Sequence, residues 1–212
     1  GVALVLTAAD IPGANDVSPT GKGDDPIFAA GTIEFWGQVL FAVAAETIEQ
    51  ARAAAKLAVV EDDDLAPVMT VDEARRQNLE VSPPHVMKRG DPTAAIAAAP
   101  HRLGGRYEIG GQDHFYLEGQ VSLAFPMEDG DVLVHCSTQH PSEVQHLIAH
   151  ALNRPSNAVT VEVRRMGGGF GGKETQAAQW AAIAALTAVK TGRPAKCRLD
   201  RDDDMIMTGK RH

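Results

Sequence analysis

The sequence predicts an α+β fold, and three observations predict it. Short apolar runs of strand length alternate with segments opened by helix-capping residues. A Pro- and Gly-containing stretch divides the chain into two parts. A run of five glycines, Gly167–Gly169 and Gly171–Gly172, stands between a strand-like segment and a long alanine-rich one. The 212 residues are 44% hydrophobic, enough for a core and suited to one large domain or two small ones.

The elements follow in order. Gly1 opens directly into Val2–Leu6, which reads as a strand entered in its middle, with no basic segment and cleavage site of a signal peptide. Pro12 and Gly13 make residues 10–16 a turn-rich loop. Gly37–Ala45 reads as a buried strand. Thr47 with Gln50 forms a capping pattern before an alanine-rich helix. Leu57–Glu61 reads as a further strand, and Thr70 with Glu73 opens a short polar helix. Pro83, Pro84, Gly90 and Pro92 mark a linker, taken as residues 81–100, whose alanine-rich end suits a short helix.

The second part runs over residues 101–212. Arg106–Glu108 reads as a strand leading into Gly110-Gly111-Gln112. Asp131–Thr138 alternates as a strand does, and Pro141–Leu152 follows as a helix with proline in its first turn. Ala158–Met166 is a strand with alternating valines. The glycine loop comes next, then a helix to Lys190 that Gly192 and Pro194 stop. Ala195–Leu199 reads as the last strand.

Composition excludes several classes. A net charge of −8 repels polyanions, so no nucleic-acid partner is expected. No apolar run approaches the ~18 residues that span a bilayer, so no membrane partner is expected. Cys136 and Cys197 form no CxxC pair. That supports neither a disulfide framework nor a zinc knuckle, and an iron–sulfur cluster needs about four such ligands.

The glycine run fits two familiar patterns by spacing. Gly167, Gly169 and Gly172 satisfy G-x-G-x-x-G, and Gly167, Gly172 and Lys173 satisfy the first positions of a P-loop. Glu174 argues against both. A P-loop places a Ser or Thr hydroxyl there for Mg²⁺, and a dinucleotide loop needs bare N–H groups and positive potential at the helix start. What remains is a loop built for close backbone approach, with Glu174 expected in the first helical turn. The residues alone leave a second reading open: a tight strand-to-helix turn closed by a capping glutamate.

Three ordered motifs resemble a known family. Gly110-Gly111-Gln112-Asp113-His114-Phe115-Tyr116-Leu117-Glu118 is similar to the GGQ-[DE]-HFYLE motif of the xanthine dehydrogenase and aldehyde oxidase family. Met166–Thr175 resembles its second cofactor motif, and Asp200–Met205 with Thr208–His212 its DR-x-x-DM…TG-x-RH segment. The resemblance implies an α/β-hammerhead domain over residues 1–80, N-terminally incomplete. The start of a molybdopterin-binding domain would follow over residues 101–212, C-terminally incomplete. It also implies a molybdenum–molybdopterin cofactor here, with 2Fe-2S clusters and FAD in a companion part. The implied partners are that companion, the remainder of the molybdenum-binding domain and a purine substrate, in a cytoplasmic, oligomeric complete enzyme.

The implied reaction is hydroxylation of hypoxanthine and xanthine to uric acid, with water as the oxygen source. Gln112 would present its amide to an oxygen of the metal centre. The N–H of Phe170, flanked by Gly169 and Gly171, would approach the same ligands, so Gln112 and Phe170 are the residues expected at the metal. Glu174 is expected to bind substrate, since the purine-oxidising branch carries Glu there and relatives acting on aldehydes or carbon monoxide commonly carry an apolar residue. The family's general base matches no residue here, so the chain is expected to contain no catalytic residue and to be inactive alone. The competing readings are an aldehyde oxidase-like hydroxylase and a noncatalytic scaffold with an incomplete site.

Other groupings read as structure. His146 and His150 are expected at or near the surface, and His114 with Glu118 as a hydrogen-bonded pair. Asp202–Asp204 is expected as a solvated acidic turn. Ala177, Ala181, Ala184, Ala185 and Ala188 are expected as a close-packing helix face.

Overall fold

A computed structural model describes residues 1–210; the expected motif residues Arg211 and His212 lie outside the described residues. The chain divides into two units, residues 1–58 with 110–212, and residues 59–109.

In the larger unit, strand β1 (Val2–Leu6) pairs antiparallel with β2 (Ala42–Ala45). Helix α1 (Ile48–Ala55) follows, its first turn held by Thr47, whose side chain accepts from the Gln50 N–H as the capping pattern predicts. The strand expected over Gly37–Ala45 is confined to its last four residues. Its earlier part runs as a loop, where Val39 contributes to the core.

A second sheet has the order β5-β4-β3-β6. Its strands are β3 (Val121–Pro126), β4 (Val132–Cys136), β5 (Val159–Glu162) and β6 (Ala195–Arg198). Helix α4 (Pro141–Ala151) links β4 to β5, and α5 (Gln176–Thr191) links β5 to β6. Of the five buried residues of α4, Val144, Leu147, Ile148 and Ala151 recur at the spacing of one helical face, and Ala149 is buried beside it. The expected alanines of α5 are all buried, together with Trp180, Ile183 and Leu186. A helix apolar around most of its circumference belongs in a core. Gly192, in the left-handed region, ends α5 as the sequence predicts.

Strand β3 was not anticipated, and its burial explains why. Its small residues Ser122 and Ala124 face inward, while Val121, Leu123 and Phe125 are only half-buried. The inward face is the one that looks least hydrophobic, because α5 lies close and brings alanine to meet it. Helix α6 (Arg201–Met207) stands where a turn is expected over Asp202–Asp204.

Strand direction decides where the site lies. Strand β3 runs antiparallel to both β4 and β6, and β4 runs parallel to β5. Therefore β4, β5 and β6 point the same way. Their carboxyl ends, and the segment entering β3, meet at one edge of the sheet. Open α/β sheets place ligands at such an edge.

Residues 1–58 share the core of this unit: Leu6, Val17, Ile27, Phe28 and Val39 join the cluster formed by α4 and α5. Asn15 fastens the loop by donating to Phe28 O at 2.8 Å and accepting from Phe28 N at 3.0 Å. The predicted turn at Pro12-Gly13 docks on the end of α4. Gly13 N donates to Ala151 O, and Ala14 N to His150 O, each at 3.0 Å.

The smaller unit carries helices α2 (Val71–Arg76) and α3 (Pro92–Ala98). Thr70 caps α2 through Glu73 N, and Asp91 caps α3 through Ala94 N. No residue of 59–109 is buried, so this unit has no core of its own. The expected strands Leu57–Glu61 and Arg106–Glu108 do not form, because a strand needs a neighbour to take its backbone hydrogen bonds and none is present among the described residues. The expected linker, residues 81–100, falls within this unit.

A Cβ on Gly13 would stand 1.9 Å from His150 O, a backbone atom. Gly13→Ala is expected to separate the loop from α4 and to lower stability by about 2 kcal/mol or more, read as a fall in the urea unfolding midpoint. An unchanged midpoint would show that the turn does not bear on α4.

Candidate cofactor site

The three sequence motifs converge at the sheet edge where β4, β5 and β6 end. The segment 113–120 enters β3 there, the glycine loop leaves β5 there, and α6 follows β6. Lys173, fully buried, binds the first two together. Its ammonium donates to Met166 O at 2.5 Å and Glu118 O at 2.7 Å, and lies 4.7 Å from the centre of the Tyr116 ring. Burial pushes its pKa below the ordinary lysine value, opposed by the charges of Asp204 and Glu118.

Tyr116 carries the connection to the third motif. Its hydroxyl donates to Asp204 Oδ1 at 2.5 Å and accepts from Gln120 Nε2 at 2.9 Å. Asp204 Oδ2 accepts from Gln120 N, and Gln120 Nε2 also donates to Gly172 O at 2.9 Å. Arg201 donates to Tyr116 O and Leu117 O, both at 2.7 Å. Asp204 is buried at 2% exposure, so the expectation of a solvated acidic turn fails at its third residue. A carboxylate is tolerated there because the Tyr116 hydroxyl and the Gln120 N–H donate to it and the Lys173 charge lies nearby.

The glycine loop is shaped by what its neighbours leave no room for. A Cβ at Gly167 would meet Glu118 Cβ at 2.4 Å, one at Gly169 would meet Gln139 Oε1 at 2.4 Å, and one at Gly172 would meet Tyr116 Cε1 at 2.6 Å. Phe170 stands at φ +53 and its side chain is 70% exposed. Gln139, three residues past the end of β4, steadies the far limb: its Oε1 accepts from Gly171 N at 3.0 Å and Lys173 N at 3.3 Å. The N–H groups of Gly167, Gly168, Gly169 and Phe170 have no acceptor among the described residues.

Residues 72–212 match the family model of the molybdopterin cofactor-binding domain. Residues 1–66 match that of the aldehyde oxidase and xanthine dehydrogenase a/b hammerhead domain. The chain belongs to the xanthine dehydrogenase and aldehyde oxidase family. It is 41% identical to a xanthine dehydrogenase/oxidase of Gallus gallus over 213 residues, covering 100% of this chain and 16% of the relative. It is 42% identical to aldehyde oxidase 2 of Cavia porcellus over 214 residues, with the same two coverages. Among solved structures, it resembles the aldehyde oxidoreductase of Desulfovibrio gigas with a TM-score of 0.85 and 26% identity, covering 100% of this chain and 25% of that one. The chain thus spans about a sixth of the length of these curated relatives.

In this family the cofactor is molybdopterin, and the loop suits it. Unpaired backbone donors beside glycines are a fitting cradle for an oxygen-rich, anionic group. Of the residues expected at the cofactor, Gly169, Phe170 and Gly171 lie together in the loop. Gln112 is exposed and makes no side-chain hydrogen bond among the described residues. It is carried by a segment whose His114 would touch a Cβ on Gly172 at 2.7 Å. Glu174 is half-buried, likewise without a hydrogen bond among the described residues. It lies ahead of α5 rather than in its first turn, because the helix begins at Gln176. His114 and Glu118 form no hydrogen bond with each other among the described residues. His146 and His150 are exposed, as expected. Both cysteines are free, and no group of three metal-ligating side chains occurs among the described residues. No helix among them is long and apolar enough to cross a membrane.

Sequence reasoning missed Lys173, Tyr116, Gln120, Gln139 and Asp204 as parts of the site. Lys173, Tyr116 and Asp204 stand inside the three motifs, which is the signal that could have found them, whereas Gln120 and Gln139 stand outside all three.

Burial, with the hydrogen bond to Asp204 and its charge, raises the Tyr116 pKa. Burial raises that of Cys136 in β4 to about 11. Both groups keep their protons in the folded state beyond the pH at which the unfolded chain releases them. Stability therefore falls as pH rises above the ordinary thiol and phenol values of about 8.5 and 10. Tyr116→Phe is expected to cost about 1–3 kcal/mol at pH 7, by leaving Asp204 and Gln120 short of a partner. It should also flatten the decline above pH 10. Urea titrations at pH 7 and 10.5 check both, and an unaltered alkaline slope would contradict the assignment.

Proposed function

We propose that this chain is the part of a molybdenum-dependent purine hydroxylase that cradles the cofactor and meets the substrate, converting hypoxanthine and xanthine to uric acid. The observation that carries the purine assignment is Glu174. It stands half-buried immediately after the cofactor loop, with none of its hydrogen-bonding capacity used among the described residues. A carboxyl group there can pair with purine ring nitrogens and carbonyls, and such pairing strengthens where water is scarce.

The bound molybdopterin centre would supply two-electron oxidation with water as the oxygen source. Gln112 would offer a neutral amide donor to it, and Phe170 a backbone N–H that needs no rotamer search. Gly169 and Gly171 would permit that approach. Electrons would leave to 2Fe-2S clusters and FAD in companion domains or subunits of a cytoplasmic, oligomeric enzyme. The hammerhead is proposed over residues 1–80, the linker over 81–100 and the cofactor-binding part from 101. The family's general base has no counterpart among these residues, so the chain alone is expected to show no xanthine turnover even with added cofactor. Measurable turnover would overturn that.

A second reading, an aldehyde-oxidising hydroxylase, is favoured by the 42% identity to aldehyde oxidase 2. Overall identity does not separate the branches, since the xanthine dehydrogenase/oxidase figure is 41%. Glu174→Gln in the full-length protein that carries this chain distinguishes them. Losing a hydrogen bond to a charged group is expected to lower kcat/KM for xanthine by about 10–100-fold, with aldehyde turnover little altered. Unchanged xanthine kinetics would remove the purine assignment.

A further inference from the structure

We propose that Lys173 is a positioning residue for the cofactor, its ammonium clamping the two ends of the glycine loop so that Gly169, Phe170 and Gly171 keep the one backbone shape that presents their amides. This rests on the molybdopterin reading of the loop and adds a residue to it.

Geometry separates this role from the usual ones of a lysine in a glycine run. A lysine that binds phosphate must reach the ligand, whereas Lys173 is 0% exposed. Its ammonium is turned back into the protein, onto Met166 O at 2.5 Å and Glu118 O at 2.7 Å. Its remaining side faces the Tyr116 ring, 4.7 Å away. Met166 precedes the loop and Lys173 closes it, so the cation joins the loop's own ends and ties both to the segment entering β3. The Lys173 backbone is held as firmly. Its N–H donates to Gln139 Oε1 at 3.3 Å, and its carbonyl accepts from Gln139 N at 2.8 Å and Thr138 Oγ1 at 3.1 Å.

The loop needs such a clamp. Gly167, Gly168 and Gly171 sit at φ +72, +87 and +92, and Phe170 at +53. Glycines favour no single conformation. A side chain-bearing residue in the left-handed region persists only where its surroundings over-determine it. Phe170 is mostly exposed, so its own side chain cannot supply that constraint. The clamp comes from Lys173 on one side and Gln139 on the other. A neutral side chain of the same length cannot donate to both carbonyls, and an arginine fork is too broad for a site with no exposed surface.

The test uses the full-length protein carrying this chain, with Lys173→Met to keep volume without donors and Lys173→Gln to keep a shorter donor. Ile148→Ala, in the core of α4, serves as a destabilised control. Two quantities are read: amide hydrogen exchange over residues 166–175 and molybdenum per protomer. Lys173→Met should speed loop exchange and lower molybdenum content, each by about tenfold or more, as loss of hydrogen bonds to a charged group predicts. Lys173→Gln should fall between it and the unmodified protein, and carries the test if the Met variant does not fold. Ile148→Ala should leave molybdenum content unchanged.

Unmodified loop exchange and molybdenum content in both Lys173 variants would overturn the proposal. So would an equal molybdenum loss in Ile148→Ala, which would reduce Lys173 to general stability. Absence of molybdenum from the unmodified protein, with loop exchange still faster in the variants, would instead overturn the cofactor reading while the clamp stood.

Discussion

A charged lysine with no exposed surface sets the terms for this end of the molecule. Lys173 is stable at zero exposure only because Met166 O, Glu118 O and the Tyr116 ring surround it, with the charges of Asp204 and Glu118 nearby. Tyr116 is held by Asp204 and Gln120, and Gln120 reaches Gly172. Four buried polar side chains thereby join three sequence motifs, and any one of them left alone would be costly to bury. One acceptor, Gln120 Oε1, has no partner among the described residues.

The sheet makes this convergence possible. Because β4, β5 and β6 share a direction, the segments that follow them emerge at one edge. Gln139, the glycine loop and α6 meet there although they are tens of residues apart in sequence. The small inward faces of β3 and the alanines of α5 let helix and sheet approach closely. The core therefore places the N-terminus of α5, and Glu174 ahead of it, directly beside the loop.

The features proposed to face the cofactor are the opposite of a packed core. Among the described residues the loop amides from Gly167 to Phe170 have no acceptor and the side chains of Gln112 and Glu174 make no hydrogen bond, and Phe170 is exposed in the left-handed region. Local rules are broken in one place and satisfied closely around it, which is the pattern expected where a site is held ready by its surroundings. Membership of the xanthine dehydrogenase and aldehyde oxidase family gives that unpaired surface its ligand class.

The sequence by itself determined the helix starts at Thr47 and Thr70, the stop at Gly192 and the alanine face of α5, because caps and periodicity are local. It also singled out the motifs carrying Gln112, Phe170 and Glu174, because a short run of residues can mark a cofactor loop without reference to the rest of the fold. It could not determine β3, whose buried face is made of small residues, nor rule out strands at Leu57–Glu61 and Arg106–Glu108, since strands exist only with partners. Burial of Lys173 and Asp204 was decided by tertiary structure alone. A charge is solvated by default, and only the meeting of three distant segments supplies the donors and carbonyls that let it leave water.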